Sequence, residues 1–132
     1  MISEKYVITA TAEQIKEIEL ALEILARLRI GQIYDALREM KDSGGRNHKF
    51  DWDMIQRIEE IVKPALHLGF NESYGVGRFE DADTVWDMYE TIRYRLSHDS
   101  LKEGEKPNRL DVRFDSPMHW NPKIPQITIE PA

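Results

Sequence analysis

The chain has 132 residues, and 18 Lys plus Arg against 24 Asp plus Glu give a formal net charge of −6. At 41% hydrophobic and 32% charged residues it is too apolar for a disordered tail and too polar for a membrane protein. The length suits one domain that buries roughly two thirds of its surface. An acidic chain without a long basic run lacks the electrostatic footprint of a nucleic acid polymer binder, whose affinity rests on neutralising many phosphates. Two or three local Arg residues still suffice for a small anion. The absence of cysteine excludes disulfides, thiolate metal sites and cysteine nucleophiles. Met1-Ile2-Ser3-Glu4-Lys5 carries no apolar stretch, and no apolar run reaches membrane-spanning length. The expectation is a cytoplasmic protein with no membrane partner.

Residues 5–10, with Tyr6, Val7, Ile8 and Thr9, are β-branched and aromatic and predict a short strand. Thr11 followed by Gln14 has the spacing of a capping box. From there Ile15, Ile18, Leu22, Leu25, Ala26, Ile33, Leu37 and Met40 recur at helical spacing, which predicts one long helix over 12–41 closed by Ser43-Gly44-Gly45. Asp51 is the expected N-cap of a second helix, with Phe50 in the staple position and Met54, Ile58, Ile61 and Val62 as its apolar stripe. Pro64 should stop or kink it, with Ala65, Leu66 and Leu68 resuming as far as Gly69. After a loop over 71–78, a third helix is expected over 82–101, with Val85, Tyr89, Ile92 and Leu96 on one face and Trp86 beside them. Four of the six prolines fall in the last sixteen residues, so the end of the chain is extended, with alternation over 111–115 and 126–130 suggesting strands.

The fold class is therefore mainly α: a long N-terminal helix and two shorter ones, short N- and C-terminal β-strands, and a Pro-rich tail. Residues 1–106 form the helical domain, and 107–132 pack as a tail on the same or a neighbouring chain. A helix of about 30 residues is about 45 Å long, whereas a globule of this size is roughly 35 Å across. Leu20, Ile24 and Leu28 add a second apolar stripe, so self-association is expected, with coverage by the tail as the alternative.

Several residues invite a chemical reading. Arg29 lies between Leu25 and Ile33 in the apolar stripe and needs a partner, either a carboxylate of another helix or an anionic ligand. Tyr89, Arg93 and Ser97, spaced four apart, share a strip with Trp86, and Tyr94 stands four before His98. Aromatic faces beside an Arg suit a nucleotide, with a base to stack and a phosphate to grip, and they equally suit a helix bordering a core. The loop Ser73-Tyr74-Gly75-Val76-Gly77-Arg78 offers backbone amides to an anion, but the following Glu80, Asp81 and Asp83 repel phosphate there and read better as partners of the helix dipole. The order His67, His98-Asp99, Asp111 or Asp115 imitates helical metal-dependent phosphohydrolases without a second carboxylate cluster, so neither a metal, a cofactor nor an enzyme is expected.

Four blocks carry a resemblance: 25–32 (LARLRIGQ), 71–77 (NESYGVG), 86–96 (WDMYETIRYRL) and 114–118 (FDSPM). They resemble small helical proteins of tailed bacteriophages, similar in style to anti-defence sponges of the Sequestin and Lockin type. The resemblance implies a homo-oligomer in the host cytoplasm that sequesters a nucleotide immune signal, of the ADP-ribose type or a cyclic dinucleotide. It favours Arg27, Arg29, Tyr74, Tyr89, Arg93 and His98 as ligand-binding residues, joined by Trp86 as a stacking surface. The alternative is an oligomeric protein-interaction module, a host-takeover adaptor or inhibitor, without a small-molecule ligand.

Overall fold

In the computed structural model the described residues are 4–41, 51–69 and 74–132. Helix α1 runs Ala12–Arg29. Its capping box forms as the spacing predicts: Gln14 N donates to Thr11 Oγ1 at 3.2 Å, and Thr11 N donates to Gln14 Oε1 at 2.9 Å. The helix then stops. Gly31 adopts φ 81°, Gln32 N reaches back to Arg27 O at 2.9 Å and Gly31 N to Leu28 O at 3.2 Å. This is a Schellman ending, whose left-handed residue glycine adopts without steric cost. A separate helix α2 follows over Ile33–Lys41. The single long helix predicted over 12–41 is thus two, because the apolar period continues through Ile30 and Ile33 across a backbone reversal that periodicity does not sense.

That break removes the length argument for self-association, since 18 residues make a rod of only about 27 Å. Neither stripe is wholly covered: Leu20, Leu22, Ile24 and Leu28 are half-buried, while Ile18 and Leu25 are exposed.

Helix α3 spans Trp52–Ala65, with Met54 N bonded to the Asp51 N-cap carboxylate at 2.8 Å. The predicted Phe50 staple and the Ser43-Gly44-Gly45 terminator lie outside the described residues. Pro64 sits in the last turn, and the helix does not resume. Leu68 N bonds Lys63 O at 2.9 Å and His67 N bonds Pro64 O at 3.1 Å, a second Schellman ending with His67 at φ 58° in the glycine position.

Helix α4 spans Glu80–Asp99 and buries Ala82, Val85, Tyr89 and Ile92, the face expected of it, with Leu96 half-buried. It packs against α1, as does α2, which also meets α3. Ile30 and Ile33, at 1% exposure, are the largest fully buried side chains, each worth roughly 1.5–3 kcal/mol of burial. Ala26 and Ala82 are fully buried with them.

The described residues contain no β-strand, which corrects the predicted termini. Residues 5–10 join no ladder among the described residues, and Val7 is 97% exposed. Residues 112–114 form a short 3₁₀ turn held by Asp111, whose carboxylate accepts from Arg113 N. Residues 126–130 alternate in exposure without joining a ladder.

Candidate functional site

The seam between α1 and α4 gathers four of the seven residues singled out from sequence. Trp86, Tyr89 and Arg93 fall on one face of α4 because they are spaced three and four apart. The Trp86 and Tyr89 rings meet edge to face, with centroids 5.5 Å apart. The Arg93 guanidinium lies 5.1 Å from the Tyr89 ring centre, and the Arg27 guanidinium, from α1, lies 5.4 Å from that of Trp86. The result is a ladder of cation, indole, phenol and cation, in which each positive charge faces an electron-rich ring.

Arg27 is further fixed by two neighbours. Its Nε and Nη2 donate to Glu23 Oε1 at 3.2 and 3.1 Å, and its Nη1 donates to Gln32 Oε1 at 2.6 Å. Gln32 Nε2 in turn donates to Tyr74 O at 3.1 Å, and Tyr74 N donates to Ile30 O at 2.8 Å. Tyr74 therefore joins the seam through its backbone. Its ring stacks elsewhere, edge to face with Phe79 at 5.3 Å and beneath Arg78 at 4.9 Å.

The remaining two residues do not join the ladder. Arg29 was expected within the apolar stripe, yet its side chain is 38% exposed, and its Nε lies 3.6 Å from Asp81 Oδ2 while Nη1 donates to Asp81 O at 3.1 Å. Its position in the last turn of α1 swings it to the acidic start of α4, which resolves its partner as a carboxylate from another helix. His98 stands beyond Arg93, its ring 4.3 Å from that of Tyr94 and 5.3 Å from that of Phe114.

Electrostatically the seam is balanced by two α1 carboxylates. Burial pushes the Tyr89 phenol up to about 12, with the Glu23 charge adding to the shift and Arg93 opposing it. Burial, and then Glu23, also raise the Glu19 carboxyl above its ordinary range, while Arg93, Lys16 and Arg113 pull it back. Sequence reasoning missed Glu19, Glu23 and Gln32. The signal lay in the spacing 19, 23, 27, which places both carboxylates in line with Arg27 on one helix face.

Among the described residues, four buried side-chain nitrogens have no hydrogen-bond partner: Trp86 Nε1, Arg93 Nε, His98 Nε2 and Trp120 Nε1. Three of them belong to residues of the predicted set. A small cavity of about 50 Å³ lies elsewhere, between Thr84, Asp87 and Met88 of α4 and residues 124–127. It touches none of the seven residues, and a nucleotide needs roughly 300 Å³ or more.

Among the described residues no three His, Asp or Glu side chains gather as metal ligands. Two carboxylates of the phosphohydrolase-like order are engaged: Asp99 Oδ2 accepts from Arg95 Nε at 3.0 Å, and both Asp111 oxygens accept from Arg113. No described helix is long and apolar enough to cross a membrane. No family model, curated protein or solved structure matches the chain.

Proposed function

We propose that this chain is a non-enzymatic binding protein that sequesters a small phosphate-bearing nucleotide at the α1–α4 seam. The observation that carries the reading is the pair of buried nitrogens on the ladder side of α4, Trp86 Nε1 and Arg93 Nε, that lack a partner. A buried donor without an acceptor costs about 1–3 kcal/mol. An acceptor-rich ligand such as a phosphate removes that cost, and Trp86 and Tyr89 supply aromatic faces for a base. Glu19 and Glu23 suit the hydroxyl donors of a ribose, so the carboxylates that would repel a bare anion become partners for a nucleoside. With the phage resemblance, the ligand class is an immune signal of the ADP-ribose or cyclic-dinucleotide type in a host cell, and the sites of a homo-oligomer hold it without transforming it.

Thermal unfolding tests this. A ligand at a hundred times its Kd stabilises the fold by about 2.7 kcal/mol. ADP-ribose and a panel of cyclic dinucleotides at millimolar concentration should include at least one that raises Tm. Arg93→Ala should abolish the gain without changing the particle size. No shift across the panel overturns the reading, and recovery of cleaved ligand replaces it with an enzyme.

A second reading, a protein-interaction module, is favoured by a different feature. Tyr34 and Trp52 meet edge to face at 5.8 Å where α2 and α3 adjoin, Arg38 lies 5.7 Å from the Tyr34 ring centre, and Trp52 is 61% exposed. Exposed Trp, Tyr and Arg are the residues that dominate protein interfaces. Trp52→Ala should then abolish partner or self association and leave any nucleotide shift unchanged.

A further inference from the structure

The face of α4 that looks away from α1 is polar, and it is occupied by the chain's own tail. Glu80, Thr84, Asp87 and Glu90 recur every three or four residues, so their acceptors line one strip of the helix. Met118 N donates to Glu90 Oε2 at 3.0 Å, Trp120 N to Asp87 Oδ1 at 2.7 Å and Asn121 N to Asp87 Oδ2 at 3.0 Å. Asn121 Nδ2 donates to Thr84 Oγ1 at 2.8 Å, and Lys123 pairs with Glu80. Asp87 and Asn121 are each only 5% exposed. The strip thus grips an extended peptide by its backbone amides and by one buried Asn side chain.

We infer that this strip is a peptide-docking groove whose second occupant is the tail of another copy, so that two chains associate by exchanging residues 112–126 reciprocally. Three observations favour this occupant. First, the tail's bonds named above go to α4 side chains, so an identical groove on another copy offers the same bonds. Second, the tail reaches the groove through a long connection: residues 102–110 are exposed throughout, and their hydrogen bonds are local, as in Glu105 N to Lys102 O and Leu110 N to Asn108 Oδ1. Residues 112–114 rest on α4, the Phe114 ring 5.3 Å from that of His98, and cross together with the tail, so the free connection is 100–111, whose twelve residues extend to roughly 40 Å. The connection has slack enough to cross to a neighbour. Third, Leu110 and Val112 leave their apolar side chains exposed ahead of the tail, at 92% and 58%. Reciprocal exchange sets the two connections side by side and gives those side chains something to cover them. A tethered tail competes at an effective concentration of roughly millimolar, so this added burial is what makes exchange visible at lower protein concentration.

The absence of cysteine gives a direct test. Full-length copies carrying Glu80→Cys are mixed with copies carrying Lys123→Cys, unfolded and refolded together, and joined with a bismaleimide that spans the reach of the two original side chains. Exchange predicts a covalent dimer whose linked peptides contain positions 80 and 123, in severalfold excess over 80–80 and 123–123 links. That excess should be lost when Asp87→Ala is added to the Glu80→Cys copy, or Asn121→Ala to the Lys123→Cys copy should Asp87→Ala not fold. A chain carrying both cysteines should give 80–123 dimers as well as internally linked monomers. If it gives only the internal link, and mixed copies give no 80–123 link above the Asp87→Ala control, the tail docks on its own chain alone and the inference fails.

Discussion

The Arg27 guanidinium lies 5.4 Å from the centre of the Trp86 indole while Glu23 and Gln32 hold its nitrogens, so one side chain ties α1, the α1–α2 turn and α4 together. Its removal leaves the half-buried Glu23 carboxylate without its cation and Trp86 without its cap. Arg27→Ala should therefore cost about 2–3 kcal/mol of stability in urea unfolding. Arg27→Lys, which keeps the charge but lacks the planar fork, should cost about half as much. A loss below 1 kcal/mol for the alanine variant would show that the cluster decorates the seam without holding it.

Tyr89 makes the fold sensitive to alkali. Its phenol, shifted from 10.0 to about 12, favours the neutral form in the folded chain. The associated stability is fully present below pH 10 and is lost as pH rises from 10 toward 12. Two pH units correspond to about 2–3 kcal/mol. Tyr89→Phe should flatten the decline in unfolding free energy between pH 9 and pH 11, and an unchanged slope would refute the assignment.

Glu19 acts with the same sign in acid. Its folded pKa is raised, so the folded chain takes up the proton more readily than the unfolded one, and stability falls as pH rises through that window. At pH 7 the ionised carboxylate is a liability. Glu19→Gln should raise Tm at pH 7 and leave it unchanged at pH 3.5, where the group is neutral in both states. A Tm that drops at pH 7 would instead make Glu19 a stabilising partner of Arg93.

How much of this was legible in sequence depends on whether the signal was local. The strip of Trp86, Tyr89 and Arg93 follows from helical spacing, and so do the caps at Thr11 and Asp51. The break at Gly31 is masked because Ile30, Ile33 and Ala36 keep the apolar period while the backbone reverses between them. Glu19 and Glu23 have the same spacing as the solvated pair Glu13 and Glu17, and only the approach of α4 distinguishes them. Val7, Ile8, Ile127 and Ile129 have the composition of strands, but a strand exists only with a partner, and none pairs with them within the described residues. The grip of Asp87 on amides more than thirty residues away leaves no local trace.

The two Schellman endings make opposite predictions for the same left-handed position. Gly31 is buried at φ 81°, so Gly31→Ala imposes a strained backbone and should cost about 1 kcal/mol. His67 already bears that strain at φ 58° and is exposed, so His67→Gly should stabilise by roughly 0.5–1 kcal/mol. Denaturation midpoints of the two variants check both signs. Stabilisation by Gly31→Ala would mean that the long helix is continuous after all.

Asp87 accepts from two consecutive tail amides, one on each carboxylate oxygen. In Asp87→Asn one acceptor becomes an NH2 group facing an N–H, so one tail amide loses its partner and the charge assistance of the other disappears. Charged hydrogen bonds contribute about 1.5–3 kcal/mol, and the tail has a cheaper escape than global unfolding, because its connection over 102–110 bears no load. The substitution should therefore speed amide exchange at Trp120 and Asn121 by roughly tenfold or more, while exchange at Ile92, in the core of α4, changes little. Uniformly faster exchange across α4 would show that the tail is integral to the helical core, and unchanged exchange at Trp120 would show that Asp87 does not hold it.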